Sequence, residues 1–324
     1  MISRILARRI AFFCFVIVLS GSYCIAADWV GKARMGDAAP NEFEVVYRGA
    51  SLGKGVSGLR IWGTAYYDQS DIEPEYGELM DSETTGFLVG LELKRRGGSV
   101  WGAYYHYASE KNDWENYGLN GNVKHNLFGI TYHQPLPMCH FLVNANAGFD
   151  KYSLRFPNVE EIFPEGYQAN VYPEFGIDIP FGGKIGFKPY WALHYHYLHY
   201  DEIYSAIDPS IGLAEEDYHG LNNLLGLRLN LVLGSLLSFQ GRASWIHEFL
   251  KESPTSMSYF SSIPGQFTPI RTNFYGDTAR DWAWFGAGAK ISLGDRLCLF
   301  ADYDLTLNAR QTSHTISACL CIGF

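Results

Sequence analysis

The stretch "HTISACLCIGF" (314–324) alternates with a period of two. Ile316, Ala318, Leu320, Ile322 and Phe324 form one set, and Thr315, Ser317, Cys319, Cys321 and Gly323 form the other. Successive side chains of a β-strand point to opposite faces, whereas a helix repeats every 3.6 residues. The stretch is therefore a strand with an apolar face and a face of small residues, and it ends on an aromatic.

The two segments before it follow the same rule. In "RLCLFADYDL" the set Leu297, Leu299, Ala301, Tyr303 and Leu305 opposes Cys298, Asp302 and Asp304. In "DWAWFGAGAKISL" the set Ala283, Phe285, Ala287, Ala289, Ile291 and Leu293 opposes Gly286, Gly288, Lys290 and Ser292. Further outward the period-two signal, bounded by turn residues, gives twelve segments: 58–68, 84–94, 99–109, 122–133, 139–154, 167–179, 183–199, 221–233, 236–250, 281–293, 296–307 and 313–324. Helical periodicity is nearly absent.

The connections alternate in length. "RRGG" (95–98), "QPLPM" (134–138), "PFGG" (180–183), "GS" (234–235) and "GD" (294–295) are short. The segments 69–83, 110–121, 155–166, 200–220, 251–280 and 308–312 form the longer set. Tight turns at one end, long loops at the other and an even strand count are the pattern of a transmembrane β-barrel of the outer-membrane type. The fold class is thus all-β, a single antiparallel barrel. In such a barrel the apolar face meets lipid and the polar face lines the lumen. Tyr195 and Tyr197 share a face with Phe187, Trp191 and Leu193, and Trp101, Tyr105 and Tyr107 share another. Aromatic residues in these positions are expected to form girdles at the membrane boundary.

The ends and the composition agree. "MISRILARRI", then "AFFCFVIVL", then "SGSYCIAA" read as a secretory signal peptide over residues 1–27, too short an apolar run for a spanning helix. Its removal leaves 324 − 27 = 297 residues and moves the net charge from −9 to −12, because three arginines leave with it. An acidic chain excludes nucleic acid as a natural partner. The four remaining cysteines, Cys139, Cys298, Cys319 and Cys321, form no CxxC pair and no zinc pattern, so no cofactor or metal is expected. Cys298 shares its facing with Cys319 and Cys321 on neighbouring strands, which allows a cross-strand disulfide with either.

Other polar groups stand out less. His194 and His196 share the lumenal face with Lys188 and Tyr190, without a third metal ligand. Ser244, His247 and Glu248 lie close together, but alternation sends His247 to the face opposite the other two, so no triad forms and no enzyme activity is expected. The acidic stretches 68–81 and 200–220 are candidate outer loops that could bridge to lipopolysaccharide through divalent cations.

"GRASWIHEF" (241–249), "RDWAWFGAGAKISLGDRLCLFADYDLTL" (280–307) and "SHTISACLCIGF" (313–324) resemble the translocator β-domain of autotransporters, and "LRIWGTAYYD", "TTGFLVGLELKRRGGSVWGAYYHYAS" and "VKHNLFGITYHQPL" are similar to its first four strands. The resemblance covers 57–324. It implies a twelve-stranded barrel in the bacterial outer membrane, assembled by periplasmic chaperones and the barrel-assembly machinery. It also implies that Leu320, Ile322 and Phe324 form the assembly signal, although Cys319 and Cys321 stand where the family commonly has Gly and a larger polar residue. Residues 28–56 make a short N-terminal segment, placed by expectation in the lumen, with no room for a passenger domain. The expected role is a structural, surface-exposed or narrow-pore barrel. The alternatives are a barrel hydrolase and a soluble exported β-barrel, the latter with apolar residues inside and no outer apolar belt.

Overall fold

The computed structural model describes residues 58–324 except 73–79, 96–97, 115–118, 156–160, 162, 164, 182–183, 202, 205–211, 214–215, 252–257, 264–265, 272–279, 295 and 310. The expected signal peptide 1–27 and the segment 28–56 lie outside the described residues.

Twelve strands form the barrel: β1 (Gly58–Ile72), β2 (Met80–Lys94), β3 (Val100–Trp114), β4 (Leu119–Pro135), β5 (Cys139–Arg155), β6 (Glu165–Ile177, continued by Ile179–Phe181), β7 (Ile185–Tyr200), β8 (Glu216–Leu233), β9 (Leu237–Lys251), β10 (Asp281–Leu293), β11 (Leu297–Leu307) and β12 (Gln311–Gly323). Each pairs antiparallel with its neighbours, and β12 closes the ring on β1 from Ile72↔Gln311 to Arg60↔Gly323. The Phe324 amide continues this seam by donating to Leu59 O at 2.9 Å. Closure matters because an open sheet edge in lipid would leave backbone groups without partners. No helix occurs among the described residues.

The tight turns lie where the sequence puts them. Gly98, Gly234 and Gly294 each adopt positive φ (86°, 78° and 71°), a conformation glycine takes without a Cβ clash. The strands run further than expected at the other end. β1 reaches Ile72 and β2 begins at Met80, so the stretch read as a loop from Asp68 to Asp81 is in part strand; β8 likewise begins at Glu216. Two short hairpins, Ile203–Tyr204 with Gly212–Leu213 and Ser258–Ile263 with Gln266–Arg271, also stand within the long connections. The reason is that the backbone ladder does not need apolar side chains. A strand of 15 residues tilted by about 40° spans roughly 38 Å, against an apolar band of about 25 Å, so its end projects beyond lipid and carries polar residues.

The two faces separate cleanly. Phe87, Val89, Leu91, Phe128, Ile130, Phe149, Leu299, Ile316 and Phe324 are among the large apolar side chains exposed on the outside. His106, Asn144, Asp150, Glu174, His194, Arg228 and Asp302 are among the polar side chains buried inside. This continuous outer apolar belt excludes the soluble-barrel alternative. Aromatic groups meet near both rims. Trp101 and Tyr132 rings lie 4.5 Å apart toward the tight-turn end. Toward the long-loop end, Tyr195 OH pairs with His219 at 2.8 Å, Tyr197 OH donates to Asp217 at 2.6 Å and Tyr303 OH pairs with His314 at 2.7 Å. Such rings keep an apolar body in lipid and a polar tip among partners at the boundary.

Candidate functional site: the barrel lumen

The lumen is where the alternating strands send their polar residues, and ordered networks line it. Lys188, Arg228 and Arg242 stand in register on β7, β8 and β9. Each cation has its own acid. Lys188 Nζ lies 2.6 Å from Asp178. Arg228 holds Glu174 through two bonds, Nη1 to Oε1 at 2.7 Å and Nη2 to Oε2 at 2.9 Å, and its guanidinium lies 3.8 Å over the Tyr190 ring. Glu174 also accepts from Tyr172 OH at 2.9 Å and pairs with His140 Nε2 at 3.0 Å. Arg242 turns the other way, to Asp304 and to Asp302, and Trp284 Nε1 donates to Asp304 at 2.9 Å.

Toward the long-loop end the lining changes from arginine to histidine and amide. His125 Nδ1 lies 2.7 Å from Asp150, which accepts from Gln168 at 2.8 Å. Asn170 donates to Asn146 at 2.8 Å, and Asn146 donates to Tyr104 OH at 3.0 Å. His194 faces Asn170 at 3.3 Å, with its ring 5.3 Å from that of His196. At the seam, Asp68 accepts from Ser313 at 2.8 Å and from Thr315 at 2.5 Å. Asp68 is therefore a wall residue and not part of an acidic outer loop.

Glycines make the large lumenal side chains fit. A Cβ added at Gly226 would collide with the Tyr190 ring, at Gly220 with His196, at Gly176 with His140, at Gly90 with Trp62 and at Gly286 with Arg242. Each glycine lies directly across the ladder from the side chain that covers it. The large groups thus lie flat along the wall. The lining is also less uniformly polar than expected: Leu142, Ala192, Leu224, Ile246, Trp282 and Trp284 form an apolar patch across β5 to β10 together with Tyr172 and Tyr190. Side chains lying flat pack on their lateral neighbours, so apolar groups on the inner face can bury one another.

His194, His196 and Lys188 are lumenal as the alternation predicts, but Lys188 pairs with Asp178 and is not beside the histidines' amide partners. Among the described residues, no cluster of three or more His, Cys, Asp or Glu side chains is arranged to hold a metal ion. Ser244 is inside, 2.6 Å from Tyr190 OH, and His247 is on the other face, 2.9 Å from Asp281. Cys298 lies directly opposite Cys321, while Cys319 lies opposite Phe300, and all are unbridged in this structure. Sequence reasoning missed Glu174, Arg228, Arg242 and His140; the only available signal was a charged or imidazole residue at an inward position of a strand.

The Autotransporter beta-domain family model matches residues 61–304. A search of curated proteins finds no match. Among solved structures, the translocator domain of the autotransporter NalP from Neisseria meningitidis is similar with a TM-score of 0.75 at 14% identity, over 89% of this chain and 96% of that one. The β-domain of the Bordetella autotransporter BrkA gives 0.63 at 15% identity, over 82% and 100%. The transport unit of AIDA-I from Escherichia coli gives 0.55 at 12% identity, over 84% and 91%. Membership of this family implies an outer-membrane location for the barrel. With its matched core, closed ring of twelve strands and shared fold, the chain belongs to the autotransporter β-domain family.

Proposed function

We propose that this protein works as a resident outer-membrane barrel with a shielded lumen, a structural and surface-exposed element that conducts small solutes narrowly if at all. One observation carries the reading. Many lumenal side chains are fully buried, with Asn144, Ala192, His194 and Leu224 at 0% exposed, while Lys188 and Asp178 nearer the tight-turn end keep 28% and 29%. A wide aqueous channel of the porin kind would leave such wall groups in contact with water. The glycine-backed packing lays the large lumenal side chains along the wall, and residues 28–56 are the proposed occupant of the axis. The opposite facing of Ser244 and His247 on β9 supports a non-enzymatic role. Lipopolysaccharide is the proposed outer-surface partner, with divalent cations bridging to the exposed Asp201 and Asp217 at the rim. Periplasmic chaperones and the barrel-assembly machinery are the proposed partners of the strand bearing Leu320, Ile322 and Phe324, made after export by a cleaved signal.

The test is conductance of the purified full chain in planar bilayers, beside a variant lacking residues 28–56. The expected result is a low or absent current for the full chain and a several-fold larger one for the variant. Equal, large currents from both would overturn the reading.

A further inference from the structure

Three thiols meet near the tight-turn end of the lumen. Cys298 is the second residue of β11, and Cys319 and Cys321 lie on β12. The register decides between the two partners open to Cys298. Cys298 is directly opposite Cys321. Gly323 N donates to Arg296 O at 2.6 Å, which makes 296/323 a hydrogen-bonded pair of the ladder. Two residues further on, 298/321 is a pair of the same kind, with a Cα separation of about 5.5 Å. That Cα separation lies within the range disulfides show, about 4.4–6.8 Å, while the Cβ atoms of such a pair, toward about 5.5 Å apart, must draw together by about 1 Å to reach the bridged separation of about 3.5–4.5 Å. Cys319 is diagonal to Cys298, about 7–8 Å away, beyond the usual range.

The surroundings suit a bridge. Cys298 and Cys321 are 7% and 3% exposed and pack with Trp62, Leu88 and Tyr104 in one apolar cluster. Lys290 and Arg60 lie near Cys298, and Arg60 pairs with Glu92 at 3.5 Å. Export delivers the chain to an oxidising compartment.

The geometry points to a structural disulfide between Cys298 and Cys321 that staples the closing hairpin β11–β12, with Cys319 left as a thiol. The oxidant is an exported protein disulfide of the thiol-exchange class. One cysteine thiolate attacks a sulfur of that disulfide to give a mixed disulfide, and the second cysteine then displaces it. The S–S bond forms between Cys298 and Cys321. Two electrons pass to the oxidant, whose sulfurs leave as two thiols carrying the two protons. Because both thiols are buried in the closed barrel, oxidation precedes closure. The staple fixes β12 in one register before it meets β1. A slip of one residue would turn the lipid-facing Leu320, Ile322 and Phe324 inward.

Outer-membrane protein is acid-quenched, denatured with N-ethylmaleimide and digested with trypsin without reduction. The fragment 297–310 holds Cys298, and 311–324 holds Cys319 and Cys321. The expected product is these two fragments linked in most molecules, with one maleimide on 311–324, released by dithiothreitol. The Cys319→Ser variant keeps the link. Maleimide on both Cys298 and Cys321 in most molecules, or a link lost in Cys319→Ser, would overturn the proposal.

Discussion

Removing the Glu174 carboxylate isolates a buried arginine. Arg228 and Glu174 side chains are 1% and 0% exposed, and Glu174 engages four donors: two arginine N–H groups, Tyr172 OH and His140. In Glu174→Ala the Arg228 charge keeps its place on the Tyr190 ring, 3.8 Å away, but loses its counter-ion. Breaking a buried pair by deleting one member costs about 3–5 kcal/mol, whereas an exposed pair is worth about 0.2–1 kcal/mol. The cation–π contact is present with and without Glu174, so it does not offset the loss, and a cost of at least about 3 kcal/mol is expected. With a urea slope of about 2 kcal/mol/M, the unfolding midpoint falls by at least roughly 1.5 M. Arg228→Met should cost a similar amount, by stranding the carboxylate. Glu174→Met with Arg228→Met together should cost much less than the sum, because an apolar pair leaves no charge stranded. The assay is urea unfolding of barrels in lipid vesicles, followed by tryptophan fluorescence and heat-modifiable gel mobility. If each single variant cost under about 1 kcal/mol, the pair would behave as a solvated surface pair and the shielded lumen would be wrong.

Further outcomes follow from the same geometry. Gly226→Val should push the Tyr190 ring off the wall and cost about 1–3 kcal/mol by overpacking. Gly241→Val, with no neighbour within 4 Å of the added Cβ, should leave the urea midpoint nearly unchanged; equal effects would mean the lumenal glycines are not there for packing. Phe128→Arg puts a cation on a residue 65% exposed on the outer face, ten residues into β4, and should cost about 2–4 kcal/mol in vesicle refolding if that face meets lipid. Loss of Phe324, which holds the seam through its amide to Leu59 O at 2.9 Å, should lower the amount of heat-modifiable barrel in the outer-membrane fraction; wild-type levels would argue against its role in assembly.

The fold was largely legible, and the particular strands show why. In β10, β11 and β12 the outward set is the one the alternation names, Phe285, Leu299 and Ile316 included, and Cys298, Asp302 and Asp304 are buried inside. The expected strand over 281–293 coincides with β10. Where the reading fell short, at Asp68 and at Glu216, polar side chains marked the end of lipid rather than the end of the ladder. The lumenal networks were much less legible. Glu174 and Arg228 lie 54 positions apart, as do Tyr190 and Ser244, and no local pattern links them.

What the sequence by itself determined is everything that depends on a period of two and on turn chemistry: the number of strands, the ends of the tight turns and the face each side chain takes. Those are properties of one strand and its neighbours in the chain. What only the tertiary structure decided is who stands beside whom. Tyr190 lies over Gly226, Arg228 reaches Glu174, and Cys298 meets Cys321 and not Cys319. These contacts depend on the register of each pair and on the stagger with which the ring closes, and both are set by all twelve strands together. A shift of one residue in a ladder would keep its strands intact and change the partners that meet across it.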